Sequence, residues 1–190
     1  MKKLLIGVVV LALLVVLAGA AGLYYIKPER QLDLKYAEVP LEQRAIDMAR
    51  RMSMELVLTS DDIRNLAVKS IADNPLVEEG IRVTGADFKL EGDRLLADLN
   101  VVWKEQVPAS LHVTYRLSWS DPNVVARAEE ARLKGISLPL SLFADRVIPI
   151  ADQLPGPLRI ETFEWSGEEV KVRFRKPSLS DLQQLIGGSL

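Results

Sequence analysis

The strongest pattern along the chain is an uninterrupted apolar run near its start. No charged residue occurs from Leu4 to Ile26. At about 1.5 Å per residue, a helix of this length reaches across the ~30 Å hydrocarbon layer of a bilayer. Tyr24 and Tyr25 lie at its far end, where amphipathic rings prefer the headgroup zone. The pattern predicts a single transmembrane anchor over residues 1–26.

The same run has a second interpretation, a cleaved signal peptide. Ala18-Gly19-Ala20 has the small-x-small form of a cleavage site. The apolar run continues past that site, which favours an uncleaved signal anchor. Because long downstream domains are translocated largely regardless of their charge, we expect a single-pass protein of the cell membrane with its C-terminal domain outside the cytoplasm.

Residues 27–53 read as a linker followed by a short amphipathic helix. Lys27–Pro40 is polar and has no periodicity, whereas Leu41–Met52 repeats apolar residues at helical spacing. Off the apolar stripe lie Arg44, Arg50 and Arg51. We interpret them as part of a solvated face with interleaved acids, and contact with anionic headgroups is the alternative.

Residues 54–190 are expected to form one α+β domain. Met54–Leu58 is short enough to be a strand, and Thr59-Ser60-Asp61-Asp62 supplies caps for a helix that ends at Asn74-Pro75. Capping explains the two aspartates better than half of a catalytic carboxylate pair does. The apolar face of this helix contains Ile63, Leu66, Ala67 and Ile71.

From Gly80 the apolar period drops to two. The stretches ending in Leu90, Trp103 and Trp119 alternate apolar and polar residues, which predicts antiparallel strands with one apolar and one polar face. Further on, Ser141–Leu154 has the spacing of a helix with Leu142 and Val147 on its buried side, although Pro149 would kink it. Two strands, Leu158–Trp165 and Val170–Phe174, and a closing helix over Ser178–Ile186 complete the expected domain.

An aromatic and aliphatic stripe on the apolar face is the candidate site. Its ordinary interpretation is a sheet face packed on helices in a core. Its functional interpretation is a cleft whose apolar walls hold an acyl chain. The residues of this hypothetical cleft are Leu99, Val101, Trp103, Val113, Tyr115, Leu117, Trp119 and Phe143.

The amino-acid composition excludes several common types of metal and catalytic site. The chain has no cysteine and one histidine, which excludes thiolate and two-histidine metal sites, and we expect no cofactor and no metal. A net charge of −2 gives no reason to expect nucleic acid as a partner. His112 lies on the polar face of a predicted strand, and no sequence feature supplies the rest of a triad. We therefore expect a protein that is not an enzyme.

The order of these elements resembles the YpmS-like family of bacterial single-span membrane proteins of unknown function. The resemblance covers most of residues 54–175 and is most specific at Gly135-Ile136-Ser137-Leu138-Pro139 and at Leu154-Pro155. It implies a strand over Asn123–Leu133, where residue propensity alone favours a helix. More remotely, the order is similar to the tubular lipid-binding superfamily, which implies a curved antiparallel sheet wrapped around one or two helices and enclosing lipid.

Two functions follow as expectations. The first is a module that binds membrane lipid or another hydrophobic ligand without catalysis. The alternative is an envelope adaptor that docks another membrane protein. An apolar, partly open interior favours the first, and a filled core favours the second.

Overall fold

The computed structural model describes residues 2–51, 53–150 and 159–175. The helices are α1 (Lys2–Tyr25), α2 (Leu41–Arg50) and α3 (Ser60–Asp73), and a 3-10 turn covers Leu140–Leu142. The strands are β1 (Glu55–Thr59), β2 (Leu76–Glu78), β3 (Ile81–Glu91), β4 (Arg94–Trp103), β5 (Val107–Ser120), β6 (Asn123–Leu133), β7 (Ile136–Ser137), β8 (Arg146–Ile148), β9 (Ile160–Ser166) and β10 (Glu169–Phe174). The predicted α+β class and the strongly curved antiparallel sheet are confirmed.

The strands form two antiparallel sheets. The large sheet has the order β2-β3-β4-β5-β6-β7, with β8 also paired to β6, and the small sheet has the order β1-β10-β9. Between β4 and β5, Ala97 pairs with Val113 and Leu99 with Leu111, so the alternating apolar residues share one face as predicted. We call this apolar face the inner face and the opposite, polar face the outer face.

Two buried clusters cover the inner face of the large sheet. The sheet core lies against the small sheet and contains Met48, Leu56, Leu58, Leu90, Leu95, Leu117, Val124, Ala126, Ile160, Val170, Val172 and Phe174. The helix core lies against α3 and contains Val68, Val83, Ala86, Ala97, Leu99, Val101, Ala109, Val113, Ala128 and Ala131. Phe88 and Tyr115 border both clusters.

Helix α3 begins with a capping box. The Thr59 hydroxyl accepts a hydrogen bond from the Asp62 amide at 3.2 Å, and the Asp62 carboxylate accepts one from the Thr59 amide at 3.0 Å. The predicted capping role is therefore confirmed for Asp62. The buried contact of this helix is Val68, which the sequence pattern left off the apolar face.

Residues 26–37, which we call the strap, run from β5 across β4 and β3 to α3, where the Asn65 side chain accepts a hydrogen bond from the Ala37 amide at 3.0 Å. The Ile26 carbonyl accepts a hydrogen bond from the Ser110 amide (3.1 Å), the Arg30 carbonyl from the Asn100 side chain (2.7 Å), and the Asp33 carbonyl from the Ala86 amide (3.0 Å). A Cβ on Gly85 would clash with the Leu32 carbonyl oxygen. The segment expected to be a linker is thus fitted closely to the sheet.

The strand over Asn123–Leu133, implied by the resemblance, is confirmed as β6. Hydrogen bonding to β5 on one side and to β7 and β8 on the other outweighs its helix propensity. The strands predicted near the end are confirmed as β9 and β10.

The helix predicted over Ser141–Leu154 is wrong in its described part, residues 141–150. That part has a 3-10 turn and then β8, which pairs with Val124–Ala126. Strand pairing satisfies the exposed edge of β6, and Pro149 disfavours a helix interior. Residues 151–154 and the expected helix over Ser178–Ile186 lie outside the described residues.

Within the described part of the chain, no helix combines the length and the apolar character needed to cross a bilayer. The side chains of residues 1–13, the first half of the predicted anchor, lie outside that part. The anchor stays a prediction.

Candidate functional site

The residues of the hypothetical cleft are divided between the two cores. Leu117 is buried in the sheet core and Trp119 packs against it, with its ring stacked on Phe163 at 5.3 Å between centroids. In or against the helix core lie Leu99, Val101, Val113 and Phe143. Tyr115 borders both cores, and Trp103 is 50% exposed at the end of β4. The structure therefore brings seven of the eight onto packed surfaces and leaves Trp103 apart.

The inner face is occupied by protein in the described residues. Val68 of α3 is completely buried against it, and the small sheet covers its other end. Two cavities in the described part of the chain, of about 100 and 270 Å³, both contain Asp98 and His112 in their linings, and these residues lie on the outer face. Neither cavity is the apolar interior expected for an enclosed acyl chain.

An exposed apolar surface lies instead along the outer edge of β6. We call it the edge patch, and its members are Ile136 (51% exposed), Leu140 (42%), Leu142 (64%), Val147 (59%) and Ile148 (37%). Strands β7 and β8 attach this stretch to the two ends of β6. Ile148 pairs with the buried Val124 and Val147 with Val125, so the members line both faces of this edge. Exposed apolar side chains at a sheet edge are candidates for a binding surface.

Charged pairs border the edge patch. Arg146 of β8 donates a hydrogen bond to the Glu78 carboxylate of β2 at 3.0 Å, so the two edges of the curved sheet meet there. Arg127 donates to Asp145 at 3.1 Å. Burial raises the pKa of Tyr115, and the nearby positive charge of Arg146 opposes that rise. The charged groups that border the edge patch are thus paired with each other. The apolar side chains of the patch are the groups left to attract a partner.

His112 lies in a polar cluster that the sequence did not predict. Its Nδ1 is 2.6 Å from Asp98 Oδ1, and its Nε2 is 3.4 Å from Ser110 Oγ. The order carboxylate, imidazole, hydroxyl is that of acyl-transfer triads. The register that pairs Asp98 with His112 depends on the Lys104-Glu105 turn, and a turn at those two residues is not evident from residue type.

The same cluster offers little support for an oxyanion. The Asn100 amide already donates to the Arg30 carbonyl at 2.7 Å, and the Lys134 ammonium lies 2.9 Å from Glu29. Acyl transfer needs donors that are held ready for the developing charge. These contacts fit a polar cross-strand cluster that holds the strap, and the absence of catalysis stays a prediction.

Arg44 is held by α3. Its guanidinium donates two hydrogen bonds, at 2.8 and 3.0 Å, to the carboxylate of Asp62. Burial alone would raise the pKa of Asp62, but hydrogen bonds from Arg44 and Thr59 keep that pKa below its usual range. Arg44 therefore belongs to a partly buried ion pair in which its own side chain stays 37% exposed.

Sequence reasoning missed the edge patch because it assigned Leu142 and Val147 to the buried side of a helix. The prolines at positions 139 and 149, which flank this stretch, were the available signal against a helix.

No family model, curated protein or solved structure matches this chain. The resemblance to the YpmS-like family and to the tubular lipid-binding superfamily therefore stays a prediction, and the functional conclusion rests on the residues described above.

Proposed function

We propose that this chain is a membrane-anchored module outside the cytoplasm that binds a lipid or another hydrophobic ligand without catalysing a reaction. The observation that supports this most directly is the edge patch, five exposed apolar side chains along one sheet edge. Large exposed apolar patches on a protein surface mark sites that meet an apolar partner.

The position of the edge patch supports a lipid as that partner. Its first member, Ile136, follows Gly135, and a Cβ on Gly135 would lie 2.9 Å from the Tyr25 hydroxyl at the end of α1. The ammonium of Lys134 lies 4.9 Å from the Tyr25 ring. If α1 spans the membrane, the patch begins where the chain leaves the bilayer.

The length of the edge patch determines the affinity expected for an acyl chain. From Val124 to Leu133, β6 spans roughly 30 Å at about 3.3 Å per residue, enough for an extended acyl chain. About ten half-buried methylenes would contribute roughly 4 kcal/mol, which corresponds to millimolar affinity. Binding this weak is useful only where lipid is concentrated, as it is beside a membrane.

Photo-crosslinking in a bilayer tests the proposal. The full chain in nanodiscs containing a diazirine fatty acid should form adducts both in α1 and in residues 136–148. The double variant Leu142→Glu with Val147→Glu should lose the second set, because charges replace the apolar contact. Val57→Glu, at an exposed apolar position on β1, is the matched control and should keep both sets.

The two possible negative results of the crosslinking experiment contradict different parts of the proposal. Adducts in α1 without adducts in 136–148 would overturn lipid binding at the edge patch. No adducts in α1 would overturn the anchor.

The adaptor function is the second candidate, and the filled inner face favours it. In that case the edge patch contacts a neighbouring membrane protein. A photoreactive residue at position 142 would then give one discrete protein adduct in native membranes, and the diazirine lipid would leave residues 136–148 unlabelled.

A further inference from the structure

Trp103 is the exposed tryptophan among the three in the chain. The other two pack around Phe163, with Trp119 at 5.3 Å and Trp165 at 4.9 Å between ring centroids. Trp103 is 50% exposed, and its ring lies 5.0 Å from the ammonium of Lys104. An amphipathic ring beside a cation is suited to the boundary between lipid headgroups and acyl chains.

The turn that presents Trp103 is built from unfavourable residues. Lys104 and Glu105 have φ values of 47° and 59°, in the left-handed region. Tight hairpins with two such residues normally use Asn-Gly, because other residues pay about 1 kcal/mol or more for this conformation. Glu105 lies 3.8 Å from Arg82, whereas the contact shown for the Lys104 ammonium is the exposed Trp103 ring.

This hairpin lies at the end of the sheet from which α1 leaves. Ile26, just after α1, is hydrogen bonded to Ser110 near the start of β5. Trp103 pairs with Val107, three residues earlier on β5 and therefore about 10 Å further along the sheet. Residues 14–25 of α1 are exposed along their length, so the helix does not pack back over the domain.

We infer that the hairpin tip, residues 103–106, rests in the headgroup layer of the membrane that holds α1, with Trp103 at the acyl boundary and Lys104 against lipid phosphates. The inference rests on the anchor in the proposed function. The end of the sheet that holds Trp103 then faces the bilayer, and the small sheet points away from it.

Tryptophan quenching tests this placement in the full chain. The protein is placed in nanodiscs of phosphatidylcholine and phosphatidylglycerol, with bromine near the carbonyl end of the acyl chains in one set and without bromine in the other. Bromine should remove roughly one third of the emission, since one of three tryptophans reaches the lipid. Trp103→Phe should abolish the quenching and leave the thermal melting curve unchanged.

A second variant separates headgroup contact from folding. Lys104→Asn with Glu105→Gly supplies the residues that this turn prefers, so the hairpin should be retained and the melting temperature should not fall. If Lys104 contacts lipid phosphates, the quenching of the wild type should depend on the phosphatidylglycerol content of the nanodiscs. Without the Lys104 ammonium, that dependence should be lost.

Two results would overturn the inference. One is an unquenched wild-type protein that still enters nanodiscs, and the other is equal quenching in Trp103→Phe. Failure to enter nanodiscs at all would instead overturn the anchor, and the inference with it.

Discussion

Five of the ten buried residues in the helix core are alanines, whereas the twelve in the sheet core include one. The small side chains let α3 approach the large sheet closely, as helix packing distance depends on the side chains at the contact. The small sheet instead packs large side chains such as Phe174 against large side chains of the same inner face, such as Leu90 of β3. One curved sheet thus uses two ways of excluding water, and the two cores should respond differently to changes in volume.

The largest expected effect is truncation in the sheet core. Phe174→Ala should lower the free energy of unfolding by about 3–5 kcal/mol, because a completely packed aromatic side chain leaves a cavity. Urea denaturation measures this. A loss below about 1 kcal/mol would show that the sheet core is loosely packed and would remove the contrast with the helix core.

The ion pair between α2 and α3 comes next, because α2 supplies Met48 to the sheet core and α3 supplies Val68 to the helix core. Asp62→Asn keeps a capping side chain but removes the charge that binds Arg44, and should cost about 1–3 kcal/mol at neutral pH.

This cost should depend on pH in one direction. Since the folded-state pKa of Asp62 is lowered, its contribution is present above the unfolded value of about 4 and is lost as the pH falls through the lower folded value. The denaturation curves of wild type and Asp62→Asn should therefore converge below about pH 4. A difference that stays constant down to pH 2 would show that the charge of Asp62 is not responsible.

Enlargement should harm the helix core. Ala97→Leu adds volume beneath α3 and should cost about 1–3 kcal/mol through overpacking. Ala126→Leu makes the same enlargement in the sheet core and is measured for comparison. If Ala97→Leu is neutral or stabilising in the same urea assay, the helix core contains unfilled space, which would favour an interior ligand.

The smallest expected effect lies outside both cores. His112→Ala should change stability by no more than about 0.5 kcal/mol, since its side chain and that of Asp98 are nearly half exposed. Denaturation curves that differ by several kcal/mol, or loss of an esterase activity in the purified protein, would give the polar cluster a role that its geometry does not support.

The parts of the fold that could be predicted depend on local pattern. The strict alternation from Leu95 to Trp103 identified a strand with one buried face, and Thr59 to Asp62 identified a helix start. The strand at Arg146–Ile148 could not be found in this way, because it forms by pairing with residues twenty or more positions away. The edge patch was missed for the same reason, since Leu142 and Val147 lie in a 3-10 turn and a paired strand where the sequence predicted a helix.

The strap changes how the domain can meet a partner. A flexible segment of the length of Lys27–Pro40 would let the domain move to roughly 20 Å from the end of α1. With residues 26–37 bound to the sheet, the domain cannot reach out from its helix. If α1 is the proposed anchor, encounters with a membrane partner then come from lateral diffusion of the whole protein. The search is confined to two dimensions, and the surface density of the partner, rather than its concentration in solution, sets the rate.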